Sequence, residues 1–102
     1  MRRTKVTFDN EKLQVSTEIM RALAHPLRLR ILEFIDRNGK INVNKIYNTL
    51  NLEQSITSQH LKVLRLAGVV KQQKQGKYVL YSIEYDLVER ASRAVNNFLG
   101  KA

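Results

Sequence analysis

The charged residues between Gln54 and Tyr81 are all basic. This stretch contains no Asp or Glu, and its basic residues are Lys62, Arg65, Lys71, Lys74 and Lys77. More than half of the surplus in a chain of net charge +9 therefore lies in one segment. Ammonium and guanidinium groups clustered without carboxylates bind polyanions such as nucleic-acid phosphates. Ordinary solvated charges would not explain why acidic residues are missing from this segment alone.

Polar side chains of the same segment have the chemistry to contact nucleic-acid bases. Placed on a helix, residues 53–68 turn Thr57, Leu61 and Leu64 inward. The outward positions are Gln54, Ser55, Ile56, Ser58, Gln59 and Lys62. Glutamine can pair with adenine, serine can donate or accept a hydrogen bond, and an exposed apolar side chain can pack on a thymine methyl group. Serine hydroxyls and the backbone amides of the first turn are equally suited to phosphate oxygens. Each residue alone could simply keep the surface soluble, but their shared face indicates a binding surface.

His60 lies on the same helix, and two interpretations of it stay open. Its ring could contact a phosphate, or it could be a packing residue beside Val63. We group His60 with the candidate DNA-binding residues, together with the outward positions above and the basic residues of the segment.

The chain has few residues of the types that catalyse reactions or bind metals. There is no Cys, which removes disulfides, thiolate metal sites and thiol catalysis. Neither His25 nor His60 has a carboxylate at the i+4 spacing of a helix, and the glycines are too isolated to form a phosphate-binding loop. Three acidic residues could bind a hard cation, but an acidic helix start is the better interpretation; they are Glu84, Asp86 and Glu89. We expect no enzyme, no cofactor and no metal site.

The spacing of apolar residues predicts four helices between residues 13 and 68. The first covers residues 13–24 and stops at His25-Pro26, because a residue before proline avoids the α region. Pro26 opens the second helix, which ends at Asn38-Gly39. Asn42 is positioned to cap a short third helix that runs to residue 50, and the fourth helix, over residues 53–68, ends at Gly68. The third and fourth helices form a helix-turn-helix unit.

After Gly68 the repeat of apolar residues changes from the 3.6-residue period of a helix to the 2-residue period of a strand. Residues 69–74 and 77–83 flank a turn at Gln75-Gly76, which predicts a two-stranded hairpin with a basic tip. A last helix opens at Ser82 or Asp86 and ends at Gly100. We therefore predict a mainly α fold with a small β-hairpin: a winged helix-turn-helix with four helices, the hairpin and a fifth helix. In such a fold the fourth helix fits the major groove of DNA, about 12 Å wide, and the hairpin reaches the adjacent backbone or minor groove.

Two stretches of the sequence resemble the ArsR-type winged-helix repressors. The first is residues 22–35, and the second, residues 52–83, contains the family's recognition segment. The matching residues are Gln54, Ser55, Ser58, His60, Leu61, Leu64, Arg65, Ala67, Gly68, Val69 and Val70. The resemblance covers residues of about 15 to 100. It implies a homodimer formed by the first and last helices that blocks transcription at a near-palindromic operator, usually until a metal or other inducer releases it.

The chain departs from the sensing sites of that family. The segment that matches the thiolate site of its metal sensors is Lys40–Ile46, which retains no ligand, and sensors with paired cysteines have no counterpart here. The positions that align with a second metal site at the last helix are Tyr85, Leu87, Phe98 and Lys101. Of these only tyrosine can bind a metal, and it seldom does. The inducer therefore stays unknown, as do the operator and the regulated genes.

A chain of 102 residues forms one domain with a thin core, which favours homodimerisation. We expect residues 1–10 to be a flexible basic arm and residues 11–102 to be the DNA-binding and dimerisation domain. The expected dimer contacts are apolar residues of the first and last helices, namely Val15, Ile19, Leu87, Ala91, Val95 and Phe98. The sequence has neither an apolar run long enough to span a membrane nor a secretion signal, so the cytoplasm is the expected location.

The sequence thus predicts a sequence-specific regulator that binds double-stranded DNA, most simply a homodimeric repressor with its fourth helix in the major groove. The alternative is a winged-helix module that binds protein or RNA through the same basic face. Absence of duplex binding at low salt would favour that alternative.

Overall fold

The computed structural model describes residues 10–98, and its side chains over residues 17–93. This part of the chain contains five helices and three strands. In chain order they are α1 (Asn10–Leu23), α2 (Pro26–Asn38), β1 (Lys40–Asn42), α3 (Val43–Leu50), α4 (Gln54–Leu66), β2 (Val70–Gln75), β3 (Tyr78–Ile83) and α5 (Tyr85–Phe98). The winged helix-turn-helix prediction is confirmed. Of the predicted N-terminal arm, only Asn10 is described, and it already belongs to α1, which starts three residues earlier than expected.

The ends of α2 and α3 follow the local signals in the sequence. Pro26 occupies the first turn of α2, and Gly39, with φ of 74°, follows its last residue. The side chain of Asn42 accepts a hydrogen bond from the backbone N–H of Lys45 at 2.8 Å and so caps α3. Such caps satisfy amides that a helix leaves without an internal partner.

The sheet has three strands, not the two that were predicted. Its order is β1-β3-β2, and both pairs are antiparallel. Ile41 of β1 lies opposite Tyr81 of β3, which in turn lies opposite Gln72 of β2. A strand of three residues carries too few positions to show a period of 2, so β1 forms only because β3 supplies its hydrogen-bond partners.

The core lies where α2, α3, α4 and the sheet meet. Its fully buried side chains are Ile31, Ile35, Ile46, Thr57, Leu61, Leu64 and Val69. The hydroxyl of Thr57 donates to the backbone carbonyl of Glu53 at 2.9 Å, so this buried polar group keeps a partner. The three inward residues predicted for α4 are therefore the ones that anchor it, and its opposite face is left to solvent.

Helices α1 and α5 pack against each other within the chain. Ile19 is 4% exposed and Ala91 6% exposed, so their own chain already covers both of these predicted dimer contacts. Leu87 is half-buried. The side chains of the other three predicted contacts, Val15, Val95 and Phe98, lie outside the described residues.

Candidate nucleic-acid interface

The outward face of α4 is exposed along its whole length. Gln54, Ser55, Ile56, Ser58, Gln59 and Lys62 are all exposed, as is Arg65 in the last turn. Thr57, Leu61 and Leu64 fix the opposite face in the core. A polar helix face held by a rigid apolar one suits insertion into a groove, because its side chains are presented without the helix having to move.

The turn between α3 and α4 is tight. Asn51 adopts the left-handed conformation, with φ of 55°, and the N–H of Leu52 donates to the carbonyl of Tyr47 at 2.8 Å. Asparagine tolerates this conformation better than most residues. The turn joins α3 and α4 as a helix-turn-helix unit and sets the angle at which α4 projects.

The hairpin of β2 and β3 forms the wing, and its basic residues are not equivalent. Lys74 and Lys77 are exposed near its tip, where the ammonium of Lys77 lies 5.5 Å from the ring centroid of Tyr78. Lys71, at the base, is opposite Ser82, and its Nζ lies 3.3 Å from Oε1 of Glu84. The segment that is free of acids in sequence is therefore not free of them in space, and Lys71 has a carboxylate neighbour.

Strand pairing adds a basic residue that the sequence did not single out. Lys40 of β1 donates from its Nζ to Oε1 of Gln73 on β2, at 2.8 Å, across the intervening strand. No sequence signal could have found it, because β1 itself was not predicted.

A groove of about 440 Å³ lies between the wing and the start of α3. Its lining residues are Asn42, Val43, Asn44, Lys77, Tyr78 and Val79.

His60 turns towards α2 and is half-buried. Its ring centroid lies 4.7 Å from that of His25, and its Nδ1 lies 3.3 Å from Nη1 of Arg28. Burial, followed by the proximity of His25 and of Arg28, lowers the pKa of His60 below its ordinary value. In this structure the partners of His60 are therefore His25 and Arg28, whereas Val63, the packing neighbour expected from the sequence, is 40% exposed.

Two of the three acidic residues at the start of α5 form ion pairs within the chain. Glu84 pairs with Lys71, and Glu89 pairs with Arg93 at 2.7 Å. Tyr85 donates a hydrogen bond to Asp36, and this bond is the main cause that raises the pKa of Tyr85, with desolvation and the charge of Asp36 adding to it. Across the residues that the structure describes, no three His, Cys, Asp or Glu side chains group as metal ligands.

No helix within residues 10–98 is both long enough and apolar enough to cross a membrane.

Comparison with known proteins identifies the family. The model of the bacterial regulatory proteins of the arsR family matches residues 25–72, from the start of α2 into the wing. An HTH-type transcriptional regulator of Methanocaldococcus jannaschii is 37% identical over 86 residues, which cover 84% of this chain and 97% of that protein. The chain belongs to the ArsR family. As a member, it is a winged helix-turn-helix transcriptional regulator and not an enzyme.

Further relatives extend this agreement over most of the regulator. The transcriptional repressor PagR of Bacillus anthracis is 36% identical over 84 residues, covering 82% of this chain and 84% of PagR. Its crystal structure superposes with a TM-score of 0.72 and 34% identity over 86% of this chain and all of that one. NolR of Sinorhizobium fredii, at 27% identity, superposes with a TM-score of 0.74 over 99% of this chain and 100% of that one.

Proposed function

We propose that this regulator represses transcription by binding a near-palindromic DNA site as a homodimer, with α4 in the major groove. The carrying observation is the exposed face of α4 beside a wing whose tip presents Lys74 and Lys77. Gln54 and Gln59 have the donors and acceptors to read base edges, and Lys62 has the charge to contact phosphate. DNA as the partner implies that the protein acts in the cytoplasm.

The wing would contact the backbone or minor groove beside the helix. Its tip carries two lysines and, in Gln75, a further polar side chain, all exposed. Positive charge next to a groove-binding helix strengthens attachment to DNA regardless of sequence, while contacts from α4 discriminate between sites. Affinity and specificity should therefore respond to different substitutions.

The dimer supplies the symmetry that a near-palindromic site requires. Leu87 is half-buried and Met20 is 38% exposed, so α5 and α1 each leave apolar surface for a partner. Two recognition helices related by a two-fold axis would read half-sites about 34 Å apart, one turn of the duplex. We expect sedimentation at micromolar concentration to give a dimer, and a monomeric profile would contradict this part of the proposal.

Selection of duplexes from a random pool tests DNA binding directly. We expect the bound fraction to converge on a two-fold symmetric sequence, with an affinity that falls as salt is raised. Ser58→Glu, which puts a carboxylate on the exposed face of α4, should abolish this binding. Asn38→Glu is the control: it also adds a carboxylate at an exposed helical position, but on α2, which is neither the proposed recognition helix nor a proposed dimer helix, and it should bind like the parent. A parent protein that binds no duplex at low salt would favour a protein or RNA partner instead.

A further inference from the structure

One arginine connects three helices of the regulator. The guanidinium of Arg28, on α2, donates from Nε to the carbonyl of Ala22 at 2.6 Å and from Nη2 to that of Arg21 at 3.1 Å. Both acceptors lie at the end of α1, where carbonyls lack a partner within the helix. The third contact, from Nη1, is with Nδ1 of His60 on α4. Arg28 therefore ties the proposed recognition helix to the junction of α1 and α2.

The same junction requires two histidine rings in one protonation state. A guanidinium has donors and no acceptor, so Nδ1 of His60 must present its lone pair to Arg28. Nδ1 of His25 also accepts, from the backbone N–H of Leu27 at 3.1 Å, and in this way caps α2. In both rings the hydrogen-bonded nitrogen is unprotonated, and the proton of the neutral imidazole sits on Nε2.

Protonation would break both contacts. An imidazolium donates from both of its nitrogens, so a charged His60 would face Arg28 donor to donor, and a charged His25 could no longer accept from Leu27. The groups that act electrostatically on His60 are His25, from the turn after α1, and Arg28, from α2. Both are basic, and the contacts of Arg28 with α1 are hydrogen bonds to two main-chain carbonyls. No carboxylate among the described side chains offsets a charge on His60.

We propose that His25, Arg28 and His60 form an acid-sensitive joint in which Arg28 positions α4, and that acidification frees α4 and weakens DNA binding. Only the last step rests on the proposed function. In keeping with this, burial and the two basic neighbours lower the pKa of His60 in the folded protein. The unfolded chain therefore takes up the proton first. The stability that this ring contributes is complete above its ordinary value of 6.5 and is lost as pH falls from there through the lowered pKa.

Hydrogen exchange of the α4 amides at pH 7.5 and 5.5, corrected for intrinsic rates, tests the joint without DNA. We expect several-fold loss of protection along α4 at the lower pH in the parent. In the double variant His25→Asn with His60→Gln, amide oxygens replace both ring acceptors and do not titrate in this range, so the loss should disappear. An equal loss in parent and variant would overturn the proposal, as would an NMR titration of the His60 ring at or above its ordinary pKa.

Arg28→Lys tests the positioning role separately. Lysine keeps the charge but cannot make the three divergent contacts of the guanidinium. We expect α4 to lose protection at pH 7.5 in this variant while the amides of β3 keep theirs. Unchanged protection in α4 would show that Arg28 does not position it.

The functional half is tested with the duplex that the random pool yields. We expect the affinity of the parent to fall several-fold from pH 7.5 to 5.5, and that of the double variant to change far less. A rise in the parent's affinity would mean that protonated His60 acts as a phosphate contact, and would overturn the functional step. If no duplex is selected, the proposed function fails, while the exchange experiment still decides whether the joint exists.

Discussion

The Nζ of Lys71 lies 3.3 Å from Oε1 of Glu84 across the base of the wing. The side chain of Lys71 is 64% exposed and that of Glu84 is 41% exposed, so solvent screens the pair and it adds little to stability. Its consequence is electrostatic. The carboxylate offsets the charge of Lys71 before any phosphate arrives, whereas Lys74 is exposed nearer the tip of the wing.

Lys71→Ala should therefore affect DNA binding less than Lys74→Ala. A lysine that neutralises one phosphate contributes about one unit to the slope of log affinity against log salt. We expect Lys74→Ala to reduce the slope by about that amount, and Lys71→Ala by clearly less, in titrations with a fixed duplex. Equal reductions would mean that Lys71 leaves Glu84 and contacts DNA.

Gln59→Ala and Lys62→Ala should weaken DNA binding in different ways. Gln59 offers an amide that can pair with a base edge, so its loss should cost about 1–3 kcal/mol at one position of the site and relax the sequence preference there. Lys62 offers a charge, so its loss should weaken binding to all sequences and lower the salt slope by about one unit. Affinities for a panel of single-base variants of the site, at several salt concentrations, separate these effects. Parent-like behaviour of both variants would show that this face of α4 does not meet DNA.

Gly68→Ala should destabilise the fold more than Gly76→Ala. Both glycines have positive φ, 81° and 60°, at which a residue with a Cβ is strained by about 1–2 kcal/mol. At Gly68 a Cβ would also lie 3.1 Å from Cδ2 of Leu87, whereas at Gly76 it would meet nothing within 4 Å. Urea denaturation at one protein concentration measures the difference. Equal losses would indicate that Leu87 moves aside without cost.

Asn42→Ala should lower the free energy of unfolding by about 1 kcal/mol, because the first turn of α3 loses its side-chain cap. Asn48→Ala changes the same residue type at an exposed position of α3 beyond its first turn and is the matched control. It should stay within about 0.5 kcal/mol of the parent. Thermal unfolding of the two variants side by side checks this, and an equally stable Asn42→Ala would show that solvent replaces the cap.

Local signals in the sequence determined most of the helical frame. Helix α2 begins at Pro26 and ends before Gly39, as the sequence predicted. Proline presets the backbone angle φ of a first turn, and glycine tolerates the positive φ that follows a helix. Thr57, Leu61 and Leu64 were predicted to face inward and are fully buried, since a period of 3.6 leaves a helix one face to bury. The remaining residues of α4 were therefore predicted to face solvent, and these residues make up the helical part of the candidate site.

Relationships between segments distant in sequence were decided by tertiary structure alone. The three residues of β1 become a strand only beside β3, and this pairing brings Lys40 to Gln73. The antiparallel pairing of β2 and β3 places Glu84 next to Lys71. The packing of α2 against α4 places His60 next to His25 and Arg28. A periodic pattern records which face of an element is buried. It does not record which neighbour covers that face, because the same apolar or charged surface suits many partners until the whole chain has packed.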